Sequence, residues 1–226
     1  MNKTALNLIA ISVFLMTMSV LLGPAINLPP AVPAIAVLTL LGIATLDSFR
    51  FEGKGGTLVL GLLANLSPEH RDRVVRHEAG HFLVAYLLEI PITGYTLSPW
   101  EAFQQGKPGV GGVSFSDAEL ASQLEEGKLS AQLFDRYCAV WMAGGVGETL
   151  VYGNAEGGAD DLQKLRTIWT EQLGRTLKEC ATKERSAALQ ARTLIKQNWS
   201  AYEALVAAMA ERNSVSYCYD IIKQNG

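Results

Sequence analysis

The sequence predicts a mainly α protein: a transmembrane helical hairpin at the N-terminus, then a mostly helical globular domain that carries one small β-hairpin. Three observations lead there. Two uncharged, apolar runs at 5–22 and 31–46 flank a proline-rich connection. Beyond them, apolar residues recur chiefly at helical spacing. Two short stretches, 92–97 and 109–115, instead alternate or are rich in β-formers and glycine, as strands do.

The first run is long enough to cross a hydrocarbon core of about 30 Å. Between the runs, Gly23-Pro24-Ala25-Ile26-Asn27-Leu28-Pro29-Pro30 breaks helix and favours a turn. Lys3 precedes the first run, Arg50 and Lys54 follow the second, and the turn carries no positive charge, so both ends are expected on the cytoplasmic side. A signal peptide competes with this reading, since Met1-Asn2-Lys3 and an apolar run resemble its first two regions. Against it stand the length of the run, the second run that follows at once, and three widely spaced cysteines with no C-x-x-C pair. The expected organisation is a hairpin at 1–50, a linker with a short apolar segment at 51–66, and one globular domain at 67–226. A net charge of −3 and a pI near 5.7 give no basic footprint, which excludes nucleic acid as the expected partner.

His77-Glu78-Ala79-Gly80-His81 is a complete H-E-x-x-H. Pro68 suits a first helical position behind Ser67, Glu69 suits the first turn, and Pro91 stops continuation, so a helix is expected over 68–88. On such a helix the two imidazoles lie about 5–6 Å apart on one face and can share one metal ion. Zinc fits two neutral ring nitrogens, a third protein ligand and one open position for water. Glu78 is then the general base, taking a proton from that water and delivering it to a leaving amine. His70, seven residues before His77, lies about 10 Å away along the axis and cannot share the ion.

A third ligand must come from elsewhere in the chain. Gly157-Gly158-Ala159-Asp160-Asp161-Leu162 places two carboxylates at the mouth of a helix, where acidic residues also serve as caps. Spacing alone does not choose between them. A longer helix over 130–152 holds Ala143-Gly144-Gly145-Val146-Gly147-Glu148. Each interior glycine costs about 1 kcal/mol relative to alanine, so the cluster implies close approach of another backbone, that of the metal helix. Glu148 reads either as a carboxylate that orients a ligand histidine or as a solvated or capping charge. Ser116-Asp117-Ala118-Glu119 reads as a capping box opening a helix, and 194–209 as a helical packing segment.

Four segments in order resemble the peptidase domain of FtsH, the membrane-anchored AAA zinc protease family of M41 type. They are the H-E-x-x-H; the strand pair ending at 109–115; 143–153, similar to the family's G-G-R-x-A-E-E helix; and 157–162, similar to T-G-A-x-N-D-L. The resemblance covers roughly residue 67 to the C-terminus and weakens after about Gly174. It implies a zincin-like fold, Zn2+ held by His77, His81 and Asp161, catalysis by Glu78, and protein or peptide substrates. The chain departs from the family in having no G-x-x-x-x-G-K-[ST] phosphate loop, so ATP is not an expected ligand. Gly145 and Thr149 replace the arginine and second glutamate of the G-G-R segment. The expected protein is an integral-membrane, ATP-independent zinc metalloendopeptidase with its peptidase domain in the cytoplasm and the lipid bilayer as a partner. A homo-oligomer or an FtsH-type ATPase is the further partner this implies. The alternative is a catalytically silent scaffold for such a complex.

Overall fold

The computed structural model describes residues 3–27, 29, 31–39, 67–106 and 111–226. The chain divides into two compact units, one of Met1–Ser67 with Ser98–Val110, the other of Pro68–Leu97 with Gly111–Gly226. In the first, α1 runs over Lys3–Leu22, a 3-10 turn covers Gly23–Ile26, and the described residues 31–39 are helical, α2. A six-residue helix, α4, occupies Pro99–Gln104; Ser98 caps it by accepting from the N–H of Glu101. Among the described residues no helix is long and apolar enough to cross a membrane, so the transmembrane hairpin is not supported by the fold. The end of the second expected span and the segment 51–66 lie outside the described residues.

The second unit is mainly helical, as the periodicity predicts. Its centre is α3, Pro68–Leu87, whose residues from Val75 to Ala85 are almost all buried. The chain leaves it through Glu89, held at a φ of 56°, and Pro91. It then enters β1, Ile92–Thr96, which pairs antiparallel with β2, Gly112–Phe115. Tyr95 stands opposite Val113 and Gly94 opposite Ser114, with an irregularity between Ile92 and Gly94. The next helix, α5 (Ala118–Glu125), corrects the sequence reading. Its cap is Asp117 and no side chain bonds the first turn. The N–H of Ser116 instead donates to the Pro91 carbonyl at 2.9 Å, one bond beyond the strand pair, so Ser116 is tied to the hairpin and not to a capping box.

Helix α6, Ala131–Tyr152, packs against α3 along most of its length. Ser130 caps it by accepting from the N–H of Leu133, and Gly153 closes it at a φ of 79°, in the left-handed region that a side chain disfavours. Helix α7 (Ala159–Thr167) continues into one π-helical turn at Ile168–Gln172. A complete capping box of Thr176 and Glu179 opens α8, Leu177–Gln197. The helical segment expected over 194–209 is broken at Asn198, where φ is −115° and ψ is 37°. That break separates α8 from α9 (Trp199–Ala210), and α10 (Val215–Asn225) follows.

One core joins these helices. Phe82 on α3 meets Tyr219 on α10 edge-to-face at 5.7 Å, and Phe134 on α6 stacks on Trp169 at 5.9 Å. The fully buried Tyr202 of α9 donates its hydroxyl to the Arg76 carbonyl at 2.8 Å, fixing α9 to α3.

The contact between α3 and α6 runs through glycines. A methyl group built on Gly80 meets the Ala143 carbonyl oxygen at 2.5 Å, and one on Gly147 meets Arg76 O at 3.0 Å and the Tyr202 hydroxyl at 2.8 Å. Gly145 faces open space except for Ala155 Cβ at 3.7 Å. Gly80→Ala is therefore expected to cost about 1–3 kcal/mol through overpacking. Gly145→Ala, free of that clash, is expected to gain about 0.5–1 kcal/mol from helix propensity. Urea unfolding of both variants checks this, and equal midpoints would contradict a close α3–α6 approach.

Candidate metal centre

Among the described residues, one group of His, Cys, Asp and Glu side chains has a geometry that can hold a metal ion: His77, His81 and Asp161, with ligand atoms all within 4.8 Å of one another. His77 and His81 lie one turn apart on the buried face of α3, their ring centroids separated by 4.7 Å. Asp161 arrives from the first turn of α7, with Oδ2 at 3.5 Å from His77 Nε2 and 3.3 Å from His81 Nε2. A charge-assisted N–H···O bond would settle at about 2.7–2.9 Å. Ligands about 2.0–2.1 Å from one tetrahedral ion stand about 3.3–3.4 Å apart, and the observed spacing matches that second arrangement.

Both imidazoles are turned the right way by a partner on the other ring nitrogen. His81 Nδ1–H donates to the Val140 carbonyl at 2.7 Å. His77 Nδ1–H donates to Glu148 Oε1 at 2.7 Å. In each ring, Nε2 faces Asp161, and it is the nitrogen that a metal ion would take once it carries no proton. Space is provided too. A methyl group on Gly144 would lie 2.4 Å from both Nε2 atoms, so only glycine at this turn of α6 leaves the ring nitrogens clear. The donor set, the spacing and this cradle would accommodate a divalent metal ion such as zinc.

Glu148 is 2 % exposed, so the carboxylate is not solvated. Beyond His77 it accepts the backbone N–H groups of Glu156 at 2.9 Å and Gly157 at 3.1 Å, from the turn between α6 and α7. Burial works to raise its pKa, and the bonds from His77 and those two amides hold it below the ordinary carboxylate value. Burial likewise opposes the low pKa of Asp161. The two imidazoles outweigh it and keep this carboxyl well below the usual range. In the metal-free protein burial disfavours the charged form of His77, but Asp161, Glu148 and Glu78 prevail and raise it to about 10. A cation entering the site displaces that proton.

Glu78 is also buried, beside its histidine neighbours. Its Oε2 accepts the N–H of Val113 on β2 at 2.9 Å, so the amide of Val113 points away from β1 and towards the metal helix. Alongside β2 runs a groove of about 650 Å³, whose apolar lining includes Phe115, Leu120, Trp141 and Ile168, with Asp160 and Lys164 at α7. A second groove, about 590 Å³ beside Leu87, Arg136 and Gln190, sits at the C-terminal end of α3, beyond the histidine pair.

Sequence reasoning brought forward His77, Glu78, His81 and Asp161. It did not find the Val140 carbonyl or the Val113 amide, since backbone partners leave no trace in side-chain identity. The glycine cluster was the one available signal for the Gly144 cradle. The three cysteines are free and buried, and burial pushes the Cys138 thiol up to about 12, which suits packing and not ligation. No family model matches the chain, and no curated protein matches it.

Asp160 is exposed while the neighbouring Asp161 faces the histidines. Elemental analysis after zinc loading is therefore expected to find the metal lost in His77→Ala and His81→Ala, weakened in Asp161→Asn, and retained in Asp160→Asn. Equal zinc content in the two aspartate variants would refute the ligand assignment.

Proposed function

We propose that this protein is an ATP-independent zinc metalloendopeptidase of FtsH-like type, anchored to a lipid bilayer and acting on unfolded or locally disordered protein segments. The convergence of His77 Nε2, His81 Nε2 and Asp161 Oδ2 carries the reading. The carboxylate of Glu78 lies on the same helix turn and touches the strand beside the site. Zinc, when bound, supplies the Lewis acidity that polarises a scissile carbonyl and acidifies water.

The chain's own residues do the rest. Glu78 takes the proton of the attacking water and returns it to the leaving amine. Its bond to the Val113 amide keeps the carboxylate from rotating away and ties its position to β2. An extended segment laid beside β2 forms backbone bonds with that strand, and the adjoining groove receives a side chain. A folded domain cannot present such a segment, and the sequence holds no phosphate loop to drive unfolding, so substrates must arrive already extended.

Support for the bilayer comes from the sequence and from α1. Phe14, Leu15, Val20, Leu21 and Leu22 are all more than half exposed there, an apolar surface that soluble proteins seldom leave uncovered. Carbonate extraction of membranes is expected to leave the protein in the pellet, and its release as an intact soluble protein would overturn the anchoring.

Purified protein with zinc is expected to cleave casein at a rate unaffected by ATP. Glu78→Gln should keep its zinc and lose about 10²–10⁴-fold in turnover, the usual loss for a missing general base. Equal inactivity of wild type and Glu78→Gln on unfolded substrates would shift the reading to a silent scaffold.

A further inference from the structure

We infer that Arg73 is a positioning residue of the metal centre, tying the helix that carries both histidines to the turn that delivers Asp161. The inference rests on the metal-centre reading above. Arg73 lies one helical turn before His77 on α3, and its side chain is 12 % exposed. Its guanidinium stands 3.6 Å from Glu148 Oε2, meets Asn154 Oδ1 at 3.4 Å through both terminal nitrogens, and lies 4.1 Å above the ring of Tyr152. It also approaches Glu69, one turn earlier, at 3.9 Å.

These contacts meet at one place. Tyr152 ends α6, Asn154 lies in the turn 153–158, and Glu148 holds both the Nδ1 of His77 and the amides of Glu156 and Gly157 in that same turn. The turn is short and tightly seated: a methyl group on Gly157 would fall 2.9 Å from Glu148 Oε1 and 3.0 Å from the His77 ring. Asp161 follows at once on α7. Arg73 thus grips the turn from α3 while Glu148 grips it from α6, and the position of the carboxylate relative to Nε2 depends on both.

Charge points the same way. Glu78, Glu148 and Asp161 are three carboxylates packed around the histidines, and Arg73 sets its positive charge against Glu148, the one bonded to His77 Nδ1. A planar fork can bond Asn154 and stack on Tyr152 at once, which a lysine ammonium cannot reproduce.

The test uses full-length protein, with Arg73→Met to keep the stem and Arg73→Lys to keep the charge. Zinc affinity by chelator competition is expected to fall at least tenfold in Arg73→Met, the usual consequence of removing an outer partner of a ligand, and to fall less in Arg73→Lys. The cobalt(II) absorption spectrum of Arg73→Met should weaken or shift, which a role in stability alone would not produce. In an Asp161→Asn background the same substitution should cost less, because the turn then delivers no ligand. Amide hydrogen exchange at Glu156 and Gly157 in the metal-free protein should quicken in Arg73→Met, a readout independent of any metal. Zinc affinity within twofold of wild type, with an unchanged cobalt spectrum, would overturn the inference even if melting temperature falls. Absence of zinc binding by wild type would instead remove the metal reading itself, and unchanged exchange at the turn would then dispose of the clamp as well.

Discussion

The distance between α3 and α6 governs the rest of this structure. Interior glycines weaken a helix by about 1 kcal/mol each, yet Gly80, Gly144 and Gly147 all face the seam between the two helices or its neighbours. Their absent side chains allow the backbones to meet, and the histidines occupy the room so released. With Cβ at Gly144 the imidazoles would be driven off their shared focus. With Cβ at Gly80, the helix axis itself would have to retreat from Ala143. The local cost in helix propensity is offset by the burial along the seam, where Ala79, Phe82, Leu83 and Ala143 are fully enclosed.

From that contact follows the orientation of each ring. The Val140 carbonyl reaches His81 Nδ1 only because the α6 backbone lies against α3, and Glu148, two turns further on, reaches His77 Nδ1 for the same reason. Both partners are acceptors, so each ring holds a proton on Nδ1 and turns Nε2 towards Asp161. One helix contributes both histidines, and a second supplies the partner of each Nδ1. The turn after α6 then brings in α7 and the Asp161 carboxylate, so the third member of the cluster is set by the same helix that aims the first two.

Much of this was legible in the sequence, and the reasons differ by element. The bounds of α3 and α6 follow from Pro68, Ser130 and Gly153, whose backbone preferences act locally. The spacing of His77 and His81 fixes their shared face by helical geometry alone. The choice of Asp161 over Asp160 came from a resemblance, since two adjacent carboxylates at a helix start look alike until the turn that aims them is known. Ser116 misled because a capping-box pattern does not say whether the preceding backbone is still bonded to a hairpin, here through Pro91. Asn198 hid a break inside an apolar run, because periodicity reports which residues are buried and not where one helix yields to another. Arg73 and the Val113 amide were out of reach, as their roles arise from contacts between segments far apart in the chain.

His77, His81 and Asp161 are placed so that they could hold one metal ion. Zinc K-edge X-ray absorption on the loaded protein examines that ligand set directly, without relying on turnover or on any variant. The spectrum is expected to show a four-coordinate shell of nitrogen and oxygen at about 2.0–2.1 Å with outer scattering from two imidazoles. A sulfur shell at about 2.3 Å, or a six-coordinate oxygen shell without imidazole scattering, would contradict it.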